Sequence, residues 1–231
     1  MNLTMRLFGA LPLAVCLFPA RAHAQNAAPA PAPAPQTYSP APPPPPGFHL
    51  HDGTYVRLQL GFAFANFSTS DPILGKAEFS GGGASVGVAV GGAIVPNLVL
   101  YGTFIMAGAS NPELKVEGAS VGSASGDLDI VALGGGAAYY LMPLSLYFAG
   151  SLLAAEIQGS NNNGRATRET DFGLGFEGLV GKEWWVSDNW GLGAALQVLY
   201  ATMTDQALDS SGNPFKWKAL SFALLFSATF N

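Results

Sequence analysis

The stretch WKALSFALLFSATF, Trp217–Phe230, decides the fold. Leu220, Phe222, Leu224, Phe226 and Phe230 fall on one parity and Ser221, Ala223, Ser227 and Thr229 on the other. In an extended chain successive side chains point to opposite faces, so the segment reads as a strand with one bulky apolar face and one small or polar face. The same pattern recurs from Tyr55, where Val56, Leu58, Leu60, Phe62 and Phe64 alternate with Arg57, Gln59, Gly61, Ala63 and Ala65. From Phe172, Leu174, Phe176 and Val180 alternate with Gly173, Gly175, Glu177 and Gly181.

Two stretches, 79–112 and 130–155, run 34 and 26 residues without a charge. Each exceeds the roughly 18 apolar residues of a membrane-spanning helix. Pro96 and Pro143 lie near their middles, and the clusters Gly81-Gly82-Gly83 and Gly134-Gly135-Gly136 weaken a helix by up to about 1 kcal/mol per glycine. Strands are therefore expected, eight in all, at about 54–66, 83–94, 97–107, 127–141, 144–156, 171–186, 190–202 and 217–230. Residues 97–106 are apolar on both faces. In 127–142 the polar parity begun by Asp127 and Asp129 changes, which points to a bulge. Three connections are short (95–97, 142–143 and 187–189) and four are longer and polar (67–82, 108–126, 157–170 and 203–216). The steps from Gly53 through Pro96, Pro143 and Asp188 to Asn231 are 43, 47, 45 and 43 residues, a hairpin repeat. The five prolines beyond residue 47 (Pro72, Pro96, Pro112, Pro143 and Pro214) all fall between strands, where no ladder hydrogen bond is lost.

Eight alternating strands can form a soluble barrel with an apolar inside or a membrane barrel with an apolar outside. Here Arg57 and Glu177 share a face with Gly, Ala and Ser, while Phe and Leu hold the other. An eight-stranded lumen is just wide enough to be filled by side chains, so the small residues belong inside and the bulky ones in lipid. Strand 8 must then pair with strand 1, because unpaired backbone groups in hydrocarbon cost several kcal/mol each. Tyr139, Tyr140, Trp184, Trp185, Trp190 and Trp217 lie beside connections, where an aromatic girdle at the headgroup level is expected.

Residues 53–231 resemble the small eight-stranded outer-membrane barrels of Gram-negative bacteria, of the outer membrane protein A transmembrane-domain type. Phe222, Leu224, Phe226 and Phe230 are similar to the alternating C-terminal signal read by the barrel-insertion machinery, although here Asn231 follows the last aromatic. The run GKEWWVSDNWGLG (Gly181–Gly193) is likewise similar to bacterial outer-membrane barrels. The resemblance implies an all-β, antiparallel, up-and-down transmembrane barrel in the outer membrane.

The N-terminus fits export. Arg6, an apolar run from Leu7 to Pro19 and Ala22-His23-Ala24 before Gln25 predict a signal peptide cleaved after residue 24. A lipoprotein signal at Cys16 is disfavoured by Val15, too large for the position before such a cysteine. Ten of the 17 prolines lie between Pro29 and Pro46, so residues 25–52 are expected to be a disordered Ala/Pro-rich periplasmic linker.

The 231-residue chain is 49% hydrophobic and 11% charged, carries a net charge of −5 and has one cysteine. It offers no basic surface for nucleic acid and no multi-cysteine metal site. The histidines are His23, His49 and His51, none within the expected strands, so no Ser–His or Asp–His enzyme site is expected. His49 and His51 supply only two ligands for a metal, so neither metal nor cofactor is expected. Arg57, Gln59, Glu177, Glu183 and Gln197 fall on the inward parity. A buried guanidinium needs compensation, so Arg57 is expected to pair with Glu183 or Glu177 and plug the lumen; the alternative has each charge solvated at an open end. The reading that follows is a monomeric, non-enzymatic outer-membrane barrel with a structural or surface-interaction role, partnered by outer-membrane lipid and, during assembly, the insertion machinery. A narrow small-solute pore and a lipid-modifying enzyme are the alternatives.

Overall fold

The computed structural model describes residues 50–73, 75–161 and 166–231. The expected signal peptide and all but the end of the expected linker lie outside the described residues. Eleven strands follow in order: β1 Thr54–Asp71, β2 Gly75–Val95, β3 Leu98–Ser110, β4 Glu113–Val116, β5 Ala119–Ser123, β6 Asp127–Leu141, β7 Leu146–Ser160, β8 Ala166–Glu169, β9 Gly173–Trp185, β10 Trp190–Leu208 and β11 Pro214–Phe230. Eight of them close an antiparallel ring in the order β1-β11-β10-β9-β7-β6-β3-β2 and back to β1. The closing ladder runs from Val56 opposite Phe230 to Thr69 opposite Trp217. The remaining three are accessory: β4 continues the β2 ladder, β5 pairs with β4, and β8 pairs with β7. Among the described residues no helix is long and apolar enough to cross a membrane; the strands are the spanning elements.

Burial follows the alternation in the sequence. Along β1, Tyr55, Arg57, Gln59, Ala63, Ala65 and Phe67 are buried, whereas Leu58, Leu60, Phe62 and Phe64 are exposed. Phe62 is 84% exposed, Leu174 70% and Leu152 68%, values that only a lipid-facing surface tolerates in such numbers. The inward residues form buried clusters toward both ends of the barrel. One apolar cluster, which includes Phe67, Ile105, Ile130, Leu199, Met203 and Trp217, occupies the end with the longer connections. A second, rich in tyrosine, occupies the short-turn end.

The turns follow from their residues. Pro96-Asn97 joins β2 to β3 in two residues, and Asn97 takes φ 68°, the left-handed conformation such a hairpin requires. A single 3-10 turn at Met142–Leu144, with Pro143 inside it, links β6 to β7.

Two expectations are corrected. The segments 67–82 and 203–216 are mostly strand: β1, β2, β10 and β11 span 18, 21, 19 and 17 residues, beyond the roughly 9–11 that cross a bilayer. These strands continue their ladders above the apolar belt as a tall wall. Its two turns are tied by Asp71, whose carboxylate accepts from the Ser210 N–H (2.8 Å) and the Ser210 hydroxyl (2.7 Å). The bulge expected in β6 is also absent. Both β6 ladders run without a register shift, and Ile130, Ala132, Ala138 and Tyr140 keep one inward parity. Asp127 and Asp129 simply share the outward parity, at the end of the strand where polar groups reach water.

Backbone packing dictates where glycine is required. A Cβ on inward-facing Gly61 would lie 1.9 Å from the Leu224 carbonyl oxygen across the closing ladder, whereas at outward-facing Gly82 the nearest atom is 3.9 Å away. Gly61→Val is expected to lower the urea midpoint of the refolded barrel, at a cost of about 1–3 kcal/mol. Gly82→Val should leave the midpoint unchanged.

Candidate functional site

The lumen gathers the chain's buried polar chemistry into a stack of layers. β9 and β10 face each other with Glu177 opposite Leu199 and Gln197 opposite Leu179, so Glu177 and Gln197 lie diagonally across one ladder on the inward parity. Gln197 Nε2 donates to Glu177 Oε1 at 2.7 Å, and Ser151 Oγ of β7 donates to Glu177 Oε2 at 2.8 Å. Ser85 Oγ of β2 donates to Gln197 Oε1 at 3.1 Å. Because the Ser151 proton is committed to the carboxylate, Tyr101 donates its hydroxyl to Ser151 Oγ, 3.0 Å away. The file Ser85–Gln197–Glu177–Ser151–Tyr101 thus crosses the barrel, each member nearly devoid of solvent exposure. Charge-assisted hydrogen bonds of this kind stabilise a buried carboxylate that would otherwise be costly.

Toward the short turns the next layer is built on Arg57, which is fully buried. The guanidinium carbon lies 5.2 Å from the Tyr147 ring centroid, 5.3 Å from Tyr101 and 5.8 Å from Tyr55, within cation–π range of each. The expected pairing of Arg57 with Glu183 or Glu177 is corrected here: among the described residues Arg57 forms no ion pair within 4 Å, and the two ion pairs present are Lys76–Glu78 and Lys115–Glu113. The physical reason is crowding. Tyrosines from β1, β3 and β7 converge on the guanidinium, and Glu177 is already occupied by Gln197 and Ser151. Glu183 is buried beside Gly191, and Gln59 is buried beside Gly87. Neither joins the hydrogen-bonded file.

A third layer closes the short-turn mouth. His51, 1% exposed, stacks on Tyr140 with ring centroids 3.5 Å apart, and Trp185 lies 5.1 Å away. His51 Nδ1 is 2.6 Å from Asn231 Oδ1. The His51 carbonyl accepts from Asn97 N–H, and the Asn231 N–H donates to the Asn189 carbonyl. Both ends of the described chain and two hairpin turns therefore meet at one histidine. His49 lies outside the described residues, and His51 is committed to Asn231.

The expected girdle divides. Tyr139, Trp184 and Trp190 face outward near the short turns, and Trp190 packs edge-to-face on Phe230 at 5.4 Å. Tyr140, Trp185 and Trp217 instead lie on the inward parity, which corrects their placement in the girdle. In the doublets Tyr139-Tyr140 and Trp184-Trp185 only one ring of each can face lipid, because neighbours on a strand point oppositely. Trp217 packs against Phe79 in the lumen at the loop end. Phe222, Leu224 and Phe226 form an exposed outward column on β11 that ends in Phe230.

The sequence reading missed Tyr55, Tyr101, Tyr147, Ser85 and Ser151. All five share the inward parity of their strands, which is the signal that would have found them. Tyr101 was hidden in the segment that is apolar on both faces.

No protein-family profile and no curated protein sequence matches the chain. Among solved structures it is similar to neisserial surface protein A, at 18% identity and a TM-score of 0.49 over 78% of this chain and 97% of that one. It is also similar to the outer membrane protein AlkL (14%, 0.48, covering 83% and 94%) and to OprG of Pseudomonas aeruginosa (13%, 0.45, covering 78% and 98%). The closed ladder and apolar exterior establish the barrel without these likenesses.

The mouth carries a pH dependence. Burial holds His51 down from 6.5 to about 4, against the opposing pull of Asn231 and Asp52. Between those values the unfolded chain binds a proton that the folded barrel does not, so stability is full above about pH 6.5 and falls as pH drops toward about 4. His51→Phe keeps the stack on Tyr140 without the titration. The urea midpoint of the wild type is expected to fall more steeply than that of His51→Phe between these pH values, and to run parallel to it above them.

Proposed function

We propose that the chain is a non-conducting, non-enzymatic barrel of the outer membrane, monomeric, with a structural or surface-interaction role. The occupied lumen is the observation that carries this reading: the loop-end cluster, the Glu177 file, the Arg57–tyrosine layer and the His51 cap succeed one another along it. An N-terminal linker on the periplasmic side puts the short turns there and the tall wall and the β4–β5 hairpin at the cell surface. Tyr139, Trp184 and Trp190 serve as the periplasmic-side girdle, where amphipathic rings are favoured. The outward column Phe222, Leu224, Phe226 and Phe230 is what the insertion machinery would read. His51 is engaged at the mouth by Asn231 and Tyr140, which supports a role without acid–base chemistry.

One observation favours the narrow-pore alternative. The hydrogen-bonded file in mid-barrel gives the lumen a polar layer that a small solute or proton could pass. The apolar cluster on one side and the tyrosine layer on the other interrupt it. Purified wild-type barrel in a planar bilayer is therefore expected to show no discrete conductance steps, while Arg57→Ala combined with Tyr147→Ala introduces them. Steps from the wild type at the same protein-to-lipid ratio would favour the pore.

A further inference from the structure

The tall wall carries a cationic site on its outer surface. Reading outward-facing residues from the belt toward the loops, β11 passes from Phe222 and Leu220 to Lys218 and Lys216, and β1 from Phe62 and Phe64 to Ser68 and Ser70. β10 passes from Val198 and Tyr200 to Thr204, and β2 from Val86 and Val88 to Lys76. The ladders set these polar ends side by side: Ser68 opposite Lys218, Ser70 opposite Lys76, and Thr204 opposite Lys216. Together they line an open cavity of about 690 Å³. Lys76 is engaged by the half-buried Glu78, which lies opposite Ser68, but Lys216 and Lys218 form no ion pair among the described residues. The cavity's one carboxylate, Asp209, accepts from Ser211 and Asn213 N–H within its own turn.

Cations are scarce in this chain, with 10 Lys and Arg in total against 15 Asp and Glu. Three of the ten therefore share one cavity. Across the barrel, Asp127 and Asp129 lie on the outward parity of β6 and Glu156 on that of β7. We propose that this cavity binds a lipid with a phosphorylated headgroup: the phosphate rests on Lys216 and Lys218, with donors from Ser68, Ser70 and Thr204, and the acyl chains lie along the apolar column below. The wall supplies both halves of an amphiphile's complement at the height where headgroups sit. A soluble anion would use only the upper half. The inference rests on the membrane-barrel reading given above, and it is independent of whether the lumen conducts.

The test is native mass spectrometry of the full-length chain, refolded in neutral detergent and confirmed as a barrel by its heat-sensitive gel mobility. Phosphatidic acid, phosphatidylcholine of the same acyl chains and inorganic phosphate are the probes. Phosphatidic acid is expected to bind with at least about tenfold preference over phosphatidylcholine, and Lys216→Gln/Lys218→Gln to lose about tenfold or more of that affinity. Lys182→Gln, at the other end of the barrel, should retain it. Equal binding of the two lipids, or an unchanged affinity in the double variant, overturns the proposal. Inorganic phosphate competing at concentrations equal to the lipid would also overturn it, in favour of a soluble-anion site. Loss of heat-sensitive mobility in the wild type would instead mark failure of the barrel reading itself.

Discussion

Everything in this structure depends on the pairing of β1 with β11. A sheet in hydrocarbon has no water to satisfy an exposed edge, and each unpaired N–H or C=O costs several kcal/mol. The ladder from Val56–Phe230 to Thr69–Trp217 removes the two edges at once. Closure at eight strands then fixes the width of the lumen, and the width decides what may point inward. Alanine, serine and glycine alternate inside with large side chains such as Tyr55, Arg57, Phe67, Tyr147 and Leu199. Gly61 shows how little room remains, since its missing Cβ is what lets β1 approach the Leu224 carbonyl.

The same confinement explains the chemistry inside. A guanidinium in a narrow, dry lumen needs electron density around it, and carboxylates are not the only source. Three tyrosine faces surround Arg57 while Glu177 is satisfied separately by Gln197 and Ser151. Splitting the charges between two layers spreads polar groups along the barrel and leaves no continuous wet path. At the mouth, Asn231 finds its partner in His51. Asn231, which follows β11, is thus tied to a residue that precedes β1.

The fold was legible because a lipid-facing strand writes its orientation into every second residue: β1, β9 and β11 keep their parity throughout. Short turns were legible from Pro96, Pro143 and Asp188. The tall wall was not, because above the belt the outward face of β1, β2, β10 and β11 turns polar while Phe67, Phe79, Met203, Phe215 and Trp217 keep the inward face apolar, so the parity that marks the lipid side is lost. β6 misled for a related reason, since Asp127 and Asp129 sit outside the hydrocarbon on a parity that is apolar within it. Inward placement of Arg57, Glu177, Glu183 and Gln197 could be read from parity. Their partners could not, because strand tilt and register, which decide who meets across the lumen, leave no mark in a single strand's pattern. The doublets Tyr139-Tyr140 and Trp184-Trp185 show the same limit, as proximity to a turn says nothing about which ring faces lipid.

Closure is open to direct measurement by cross-linking. In a Cys16→Ser background, Leu60→Cys with Phe226→Cys places two outward-facing thiols opposite each other across β1 and β11, and Leu60→Cys with Val86→Cys does so across the β1–β2 hairpin. A short bifunctional thiol reagent applied to the folded, unboiled protein should join both pairs with comparable yield. If the hairpin pair is joined and the Leu60→Cys/Phe226→Cys pair is not, the sheet is open and the account of a sealed, side-chain-filled barrel is wrong.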